Sequence, residues 1–333
     1  FRGVWRRLDT LLLRQPSAWR NWFARLAAVP KYDVIVVAGT GVFDDFRDSP
    51  LGWPSRLLLW CLAARLKGVR VAFLSVGGGP ILNPISRLLM KQAAQLAQHR
   101  SYRDANSRDY MQSIGVDERE SAVLPDLAFL LPAPPVAARA PDAPPTVGVG
   151  VMNYRGWRDS GAVFDAYVDN HVRLIQWLDG RGYKARIIIG QAPTDLVAVR
   201  EIEKRLGRPL IGPREEAMNS FHDAMAATAE TDIVVASRYH VQIAALKTRR
   251  PLISLSYAPK NDALLEEAGL RDFVQDVHAI DFDRLTGQIE TLMRERARYA
   301  EMVDARVSVM EQRLRQALLE LDLLGDRASP APR

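Results

Sequence analysis

A chain of 333 residues, 48% apolar and 25% charged, is long enough for two globular domains and too apolar to be disordered as a whole. Its single cysteine, Cys61, excludes an internal disulfide framework, and its longest apolar run, Leu57 to Ala64, is far short of the ~20 residues of a membrane span, so a cytoplasmic protein is expected. Lys and Arg outnumber Asp and Glu 45 to 39, a net charge of +6; with no zinc finger, RNA-binding aromatic motif or long basic block, that excess points away from nucleic acid and toward an anionic substrate or membrane surface.

Residues 1–28 interleave Arg2, Arg6, Arg7, Arg14, Arg20 and Arg25 with Trp5, Trp19, Trp22 and Leu11 to Leu13. Such a segment serves either as an interfacial helix at the inner face of the cytoplasmic membrane or as a helix packing its Trp face on the domain. No signal peptide is visible, and because Phe1 is not an initiator methionine the first domain is expected to begin partway through its fold. Asp33 to Val37 then reads as a buried strand ending in Ala38-Gly39-Thr40-Gly41. Residues 54–67 read as a helix, and Val69 to Val76 as a strand closing on Gly77-Gly78-Gly79-Pro80. A helix over 84–98 shows the apolar stripe Leu88, Leu89, Ala93, Leu96 and Ala97. His99 to Arg103 is a short strand, Asp104 caps the next helix, and Ala122 to Leu131 holds the last elements of this half.

Prolines 132, 134, 135, 141, 144 and 145 then mark an extended linker over 132–145, dividing domain 1–131 from domain 146–325 and a tail over 326–333. The second half restarts the rhythm: strands at Val147–Met152, Ala185–Ile189, Asp232–Ala236 and Leu252–Tyr257, with helices over 162–180, 194–206, 218–230, 239–248 and 261–268, and a long helical region over 282–323. Alternation of this kind gives an α/β fold of two Rossmann-like, doubly wound domains facing each other across a cleft, and ligands bind such sheets at the carboxyl ends of the strands.

At those ends the richest stretch is Ser237-Arg238-Tyr239-His240, delivered by a hydrophobic strand to the start of a helix. Ser237 is the expected N-cap, the helix N-terminus accepts an anion, Arg238 brings a planar fork, and His240 exchanges a proton near neutral pH. The structural alternative is an Arg238 ion pair and a His240 that caps a loop. Lys260 emerges on the same rim after the next strand, and Asn153, Tyr154 and Arg155 follow the strand at 147–152. In the first half, the Gly41 and Gly78 turns let backbone approach a ligand closely, and Arg103 stands at a strand end. Asp44 occupies the third glycine position of a dinucleotide fingerprint, which weakens an NAD reading. Asp44-Asp45 reads as an N-cap ahead of a divalent-ion site. His99, His171, His222 and His278 lack ligand spacing, so no metal site is expected. Phe43, Trp53, Tyr154 and Trp157 are either sugar-stacking rings or packing.

These residues resemble the polysaccharide pyruvyl transferase family. The resemblance runs through Asp33…Ala38-Gly39-Thr40-Gly41, Gly77-Gly78-Gly79-Pro80, Tyr102-Arg103-Asp104…Ser107, Pro125-Asp126-Leu127-Ala128 and Val147-Gly148-Val149-Gly150-Val151. It is most specific at Asp232…Ser237-Arg238-Tyr239-His240…Tyr257…Lys260. The Gly-Asn-x-Gly-Asp loop that follows the first strand in members is absent here. The resemblance implies a GT-B-like fold and transfer of a pyruvyl group from phosphoenolpyruvate to two hydroxyls of one sugar, forming a cyclic ketal with release of phosphate. It implies His240 and Arg238 as catalytic, with Arg238, Tyr239, Ser237, Lys260, Arg155 and Asn153 on the donor. Gly41, Arg103 and Gly78 then fall on the acceptor side, and the acceptor is a polysaccharide or lipid-linked sugar. No cofactor is implied beyond phosphoenolpyruvate as co-substrate.

Two other readings remain at this point. A sugar-nucleotide glycosyltransferase of the same architecture needs an acidic ribose grip, for which Glu215-Glu216 and Glu266-Glu267 are available, and a glycine-rich diphosphate loop, which is missing. A membrane-associated scaffold would leave the Ser-Arg-Tyr-His constellation idle.

Overall fold

The computed structural model describes residues 29, 32–45, 48–135, 144–156, 160–212 and 220–321. The Trp- and Arg-rich start, the middle of the proline-rich segment, Trp157 and the Glu215-Glu216 pair lie outside these residues. The chain divides into two units. One runs to Leu127 and takes in the end of the chain from Gln316; the other is Ala128–Arg315.

The first unit holds β1 (Val34–Ala38), β2 (Gly41–Phe43), β3 (Arg70–Gly78), β4 (His99–Tyr102) and β5 (Ala122–Val123), all parallel, in the order β1-β3-β4-β5 with β2 against the end of β3. Helices α1 (Trp53–Leu66), α2 (Pro84–Leu96) and α3 (Ala105–Ser113) alternate with the strands. Their starts are written in side chains. Asp48 accepts the Trp53 N–H at 2.8 Å, Asn83 accepts that of Ile85 at 2.8 Å, and Asp104 accepts that of Ser107 at 2.7 Å. Asp45 caps no helix. It accepts the N–H groups of Leu82 and Asn83 at 2.8 and 2.7 Å and so ties down the β3–α2 loop. Phe43, Phe73, Tyr102, Met90 and Met111 fill the core.

The second unit holds β6 (Thr146–Val151), β7 (Lys184–Ile189), β8 (Ile233–Ala236), β9 (Leu252–Ser256) and β10 (Val274–Asp276), again all parallel, in the order β10-β9-β8-β6-β7. Its helices are α4 (Gly161–Gly180), α5 (Leu196–Leu206), α6 (Phe221–Ala229), α7 (Tyr239–Lys247), α8 (Pro259–Glu267), α9 (Phe282–Arg294) and α10 (Arg296–Glu320). The single helical region expected over 282–323 breaks at Glu295, which stands outside both α9 and α10. Strands β6, β8 and β9 are buried at every position, the burial expected of strands covered on both faces. From β6 the chain goes outward to β7 and then returns to β8 on the other side. The order therefore reverses between β6 and β8, and a doubly wound sheet opens a ligand crevice at that point.

Candidate active site

Arg238 and His240 leave the sheet at this reversal. Ile233–Ala236 is fully buried, and the turn after it is braced from below by two buried amides. Gln242 Nε2 donates to the Ala236 carbonyl at 2.9 Å and to Ser254 Oγ at 2.8 Å, and Asn261 Nδ2 donates to the Ser237 carbonyl at 2.9 Å. This bracing changes the role expected of Ser237. Arg238, not Ser237, occupies the N-cap of α7, in extended conformation and without a side-chain cap bond. Ser237 is wholly buried, with its Oγ 3.3 Å from the Tyr167 hydroxyl. Tyr167 Oη in turn accepts the Met152 N–H at 3.1 Å, and burial pushes its phenol well above the ordinary range, so it stays protonated. Behind it the His171 ring lies 4.1 Å away, its Nδ1 on the Tyr167 carbonyl at 2.8 Å, and burial lowers that imidazole to about 4.

Arg238 is not presented as a bare fork. Its Nε donates to Asp195 Oδ2 at 2.5 Å and its Nη2 to Asp195 Oδ1, a bidentate pair in which the carboxylate is completely buried. Asp195 also accepts three backbone N–H groups: Asn153 at 3.2 Å, Gly190 at 3.1 Å and Gln191 at 2.9 Å. One carboxylate thus joins the loops after β6, β7 and β8. The structural ion pair weighed for Arg238 is present, and it fixes the guanidinium plane while the side chain keeps 22% of its surface exposed. Sequence reading missed Asp195 altogether, because nothing local marks it out from an ordinary helix start.

His240 is exposed, with its ring edge-on to Tyr239 at 5.7 Å and to Phe221 at 6.2 Å. Tyr239 itself is 6% exposed and packs as core, so its ring is a wall and not a projecting contact. The Lys260 ammonium sits 4.9 Å from the Tyr257 ring and 5.9 Å from the Tyr239 ring, cation–π contacts that hold it on the same rim. Arg155 Nε donates to Asn153 Oδ1 at 3.2 Å, and its guanidinium lies 4.5 Å over the Phe164 ring. The rim ends in a pair that the sequence did not reveal: the Tyr154 hydroxyl meets His278 Nε2 at 2.8 Å, and Tyr154 packs against Tyr167 and Tyr257. Burial, with Asp276 nearby, raises the Tyr154 phenol.

In the first unit, Arg103 gathers the strand ends. Its guanidinium lies 3.7 Å from Asp104 and 3.8 Å from Asp126, and its side chain is nearly buried. A Cβ on Gly77 would come within 2.5 Å of Arg103 Nη2, and one on Gly41 within 3.9 Å of it. Gly41 and Arg103 therefore share this cluster, whereas Gly78 faces Met111 and the Ser107 carbonyl. Phe43 and Tyr154 are buried, and Trp53 donates its Nε1–H to the Val42 carbonyl at 2.8 Å. These three rings are packed into the fold. Among the described residues, no group of three or more His, Cys, Asp and Glu side chains is placed to hold a metal ion, and no helix is long and apolar enough to cross a membrane.

Solved structures similar to this one include two-domain enzymes of the GT-B type. A UDP-forming trehalose-phosphate synthase from Burkholderia xenovorans is 13% identical with a TM-score of 0.60, over 92% of this chain and 79% of its own. The corresponding synthase from Burkholderia multivorans is 14% identical at 0.55, over 94% and 78%. A UDP-GlcNAc 2-epimerase from Neisseria meningitidis, bound to UDP-GlcNAc, is 12% identical at 0.53, over 90% and 81%. At such identities the likeness shows the fold, two α/β domains with parallel sheets. No curated protein matches the chain significantly. The model of one family, polysaccharide pyruvyl transferase, matches residues 3–259, which takes in Gly41, Gly78, Arg103, Asn153, Arg155 and the whole Ser237–His240 turn. By that match over most of its length, this chain belongs to the polysaccharide pyruvyl transferase family.

Proposed function

We propose that the protein transfers the pyruvyl group of phosphoenolpyruvate to two hydroxyls of one sugar in a polysaccharide or lipid-linked oligosaccharide, closing a cyclic ketal and releasing inorganic phosphate. The observation that carries the reading is the β8–α7 turn, where an anchored Arg238 and an exposed His240 stand at the reversal of the sheet, with Lys260 on the next strand end. Phosphoenolpyruvate carries a phosphate and a carboxylate, and the outward guanidinium edge of Arg238, the Lys260 ammonium, Arg155 and the N-terminus of α7 supply matching charge. Asn153 positions Arg155 by its side chain, whereas Ser237 and Tyr239 shape the turn from within.

In the chemistry, the methylene carbon of the donor takes a proton as a sugar hydroxyl adds to the adjacent carbon. The second hydroxyl then displaces phosphate from that carbon. Of the two hydroxyl protons, one is balanced by the new methyl group and the other leaves with phosphate. His240 donates the proton to carbon, as a general acid. Gly41, Gly78 and Arg103 are the acceptor-side residues in this reading, which calls for no redox cofactor and no metal.

A lipid-linked acceptor also accords with the charge of the first unit. From Ser49 to Arg103 there is no Asp or Glu, while Arg56, Arg65, Lys67 and Arg87 are exposed within the span. Leu82, Ile85 and Leu88 are exposed at the start of α2. A basic surface with projecting apolar groups is attracted to anionic lipid, and this is the support for peripheral contact beyond residues 1–28.

The deciding experiment supplies phosphoenolpyruvate or a nucleotide sugar together with isolated glycolipids. Phosphate release, with a glycolipid gaining one pyruvic acid less one water, is the expected outcome. Consumption of the nucleotide sugar with phosphoenolpyruvate untouched would refute the reading.

A further inference from the structure

The β7–α5 loop carries no residue that the sequence marked for function, yet it makes the closest contacts with Arg238. Asp195 grips Nε and Nη2. Gly190 lies under the aliphatic stem: a Cβ there would come within 2.7 Å of Arg238 Cδ and 3.2 Å of Val241 Cγ2. Gly190 has no left-handed backbone that would call for glycine, so the close approach of Arg238 is what its missing side chain accommodates. The loop is itself held in register, since the N–H groups of Gly190 and Gln191 return to the same Asp195 carboxylate.

Resting on the donor site proposed above, we infer that Gly190 and Asp195 are positioning residues for phosphoenolpyruvate, acting through Arg238. A guanidinium on a three-carbon stem has many rotamers, and freezing them before the ligand arrives removes that cost from binding. Asp195 takes the Nε edge and turns the Nη edge outward. Gly190 lets the stem lie flat against the loop. The donor anion is therefore met by a guanidinium already fixed in plane.

Positioning and simple electrostatics act with opposite sign on an Asp195 variant. Asp195 is a negative charge buried beside an anion site, so its neutralisation raises the local positive potential, and by charge alone Asp195→Asn would bind a dianion more tightly. Positioning requires the reverse.

Calorimetric titration with phosphoenolpyruvate of wild type, Asp195→Asn, Gly190→Ala and each change combined with Arg238→Lys separates the cases, with thermal unfolding as the check on fold. The dissociation constant is expected to rise at least about tenfold in each single variant. Once Arg238 is Lys, which lacks the Nε–Nη2 edge, either change should add less than about threefold. Tighter or unaltered binding in Asp195→Asn overturns the inference, as does an undiminished loss in the Arg238→Lys background, which is what general loosening of the loop produces. Should Asp195→Asn not fold, the Gly190→Ala pair decides by the same criteria. A wild type that binds no phosphoenolpyruvate brings down the donor assignment itself, and this inference with it; wild-type binding with indifferent variants brings down the inference alone.

Discussion

His171 gives a prediction whose size follows from its surroundings. It lies on α4, completely buried against Tyr167, and burial lowers its imidazole from 6.5 to about 4. The folded protein thus holds it neutral where the unfolded chain would protonate it. Above pH 6.5 both states are neutral and nothing is lost. As pH falls below 6.5 the unfolded state takes up a proton that the folded state refuses, and stability declines until the folded imidazole also protonates near pH 4. At 1.36 kcal/mol per pKa unit, the full loss is about 3 kcal/mol, of which about 2 kcal/mol is already present at pH 5. His171→Phe keeps an aromatic ring against Tyr167 and removes the titrating group. Urea unfolding of wild type and variant, followed by tryptophan fluorescence at pH 7.5 and pH 5, measures the difference. Wild type should lose about 2 kcal/mol more than the variant between the two pH values. Parallel losses in the two proteins would show that His171 is hydrated or protonated in the fold, and would refute the reasoning. The matter bears on the site because Tyr167 holds Ser237 and the end of β6.

Three further outcomes are expected. His240→Ala should lower phosphate release by about 10²–10⁴-fold while phosphoenolpyruvate still binds in calorimetry; undiminished turnover would remove the imidazole from the mechanism. Lys247, buried at the far end of α7, donates to the Phe129 carbonyl at 2.7 Å and to Glu311 at 2.6 Å. Lys247→Met leaves both acceptors without that donor and should cost about 2–4 kcal/mol, less than a fully buried pair because Glu311 is partly exposed, read as a fall in urea midpoint with a normal donor dissociation constant. Cys61 is buried on α1 and its thiol is pushed up to about 12, so a thiol reagent at pH 7.5 should label it only at the rate of unfolding; rapid labelling of the native protein would contradict its burial.

Much of the architecture was legible because Val- and Ile-rich runs such as 147–151 and 233–236 alternate with amphipathic helices, a pattern only a parallel α/β layer satisfies. Strands β2 and β10 escaped notice because three residues give no periodicity. The Ser237–His240 turn was legible as a turn, but the job of each residue in it was not. Ser237 has the chemistry of an N-cap, yet Gln242 and Asn261 hold its carbonyl so that the cap falls on Arg238. His278 has no histidine-ligand spacing, and its partner Tyr154 is 124 residues away in the chain. Asp195 is hidden for the same reason: every group it binds beyond its own loop comes from another strand end, where a one-dimensional pattern holds no signal.

The bonds from Asp195 to Asn153 and Arg238 span 42 and 43 residues in opposite directions along the chain. They can close only after β6, β7 and β8 have docked, since each partner arrives on a different strand. During folding the carboxylate must therefore wait, hydrated, for its cation, and burying it early would be costly. The proposed donor site is accordingly completed late and as a single event, so that, if it binds phosphoenolpyruvate, ligand affinity can be followed as a clock for completion of the C-terminal sheet.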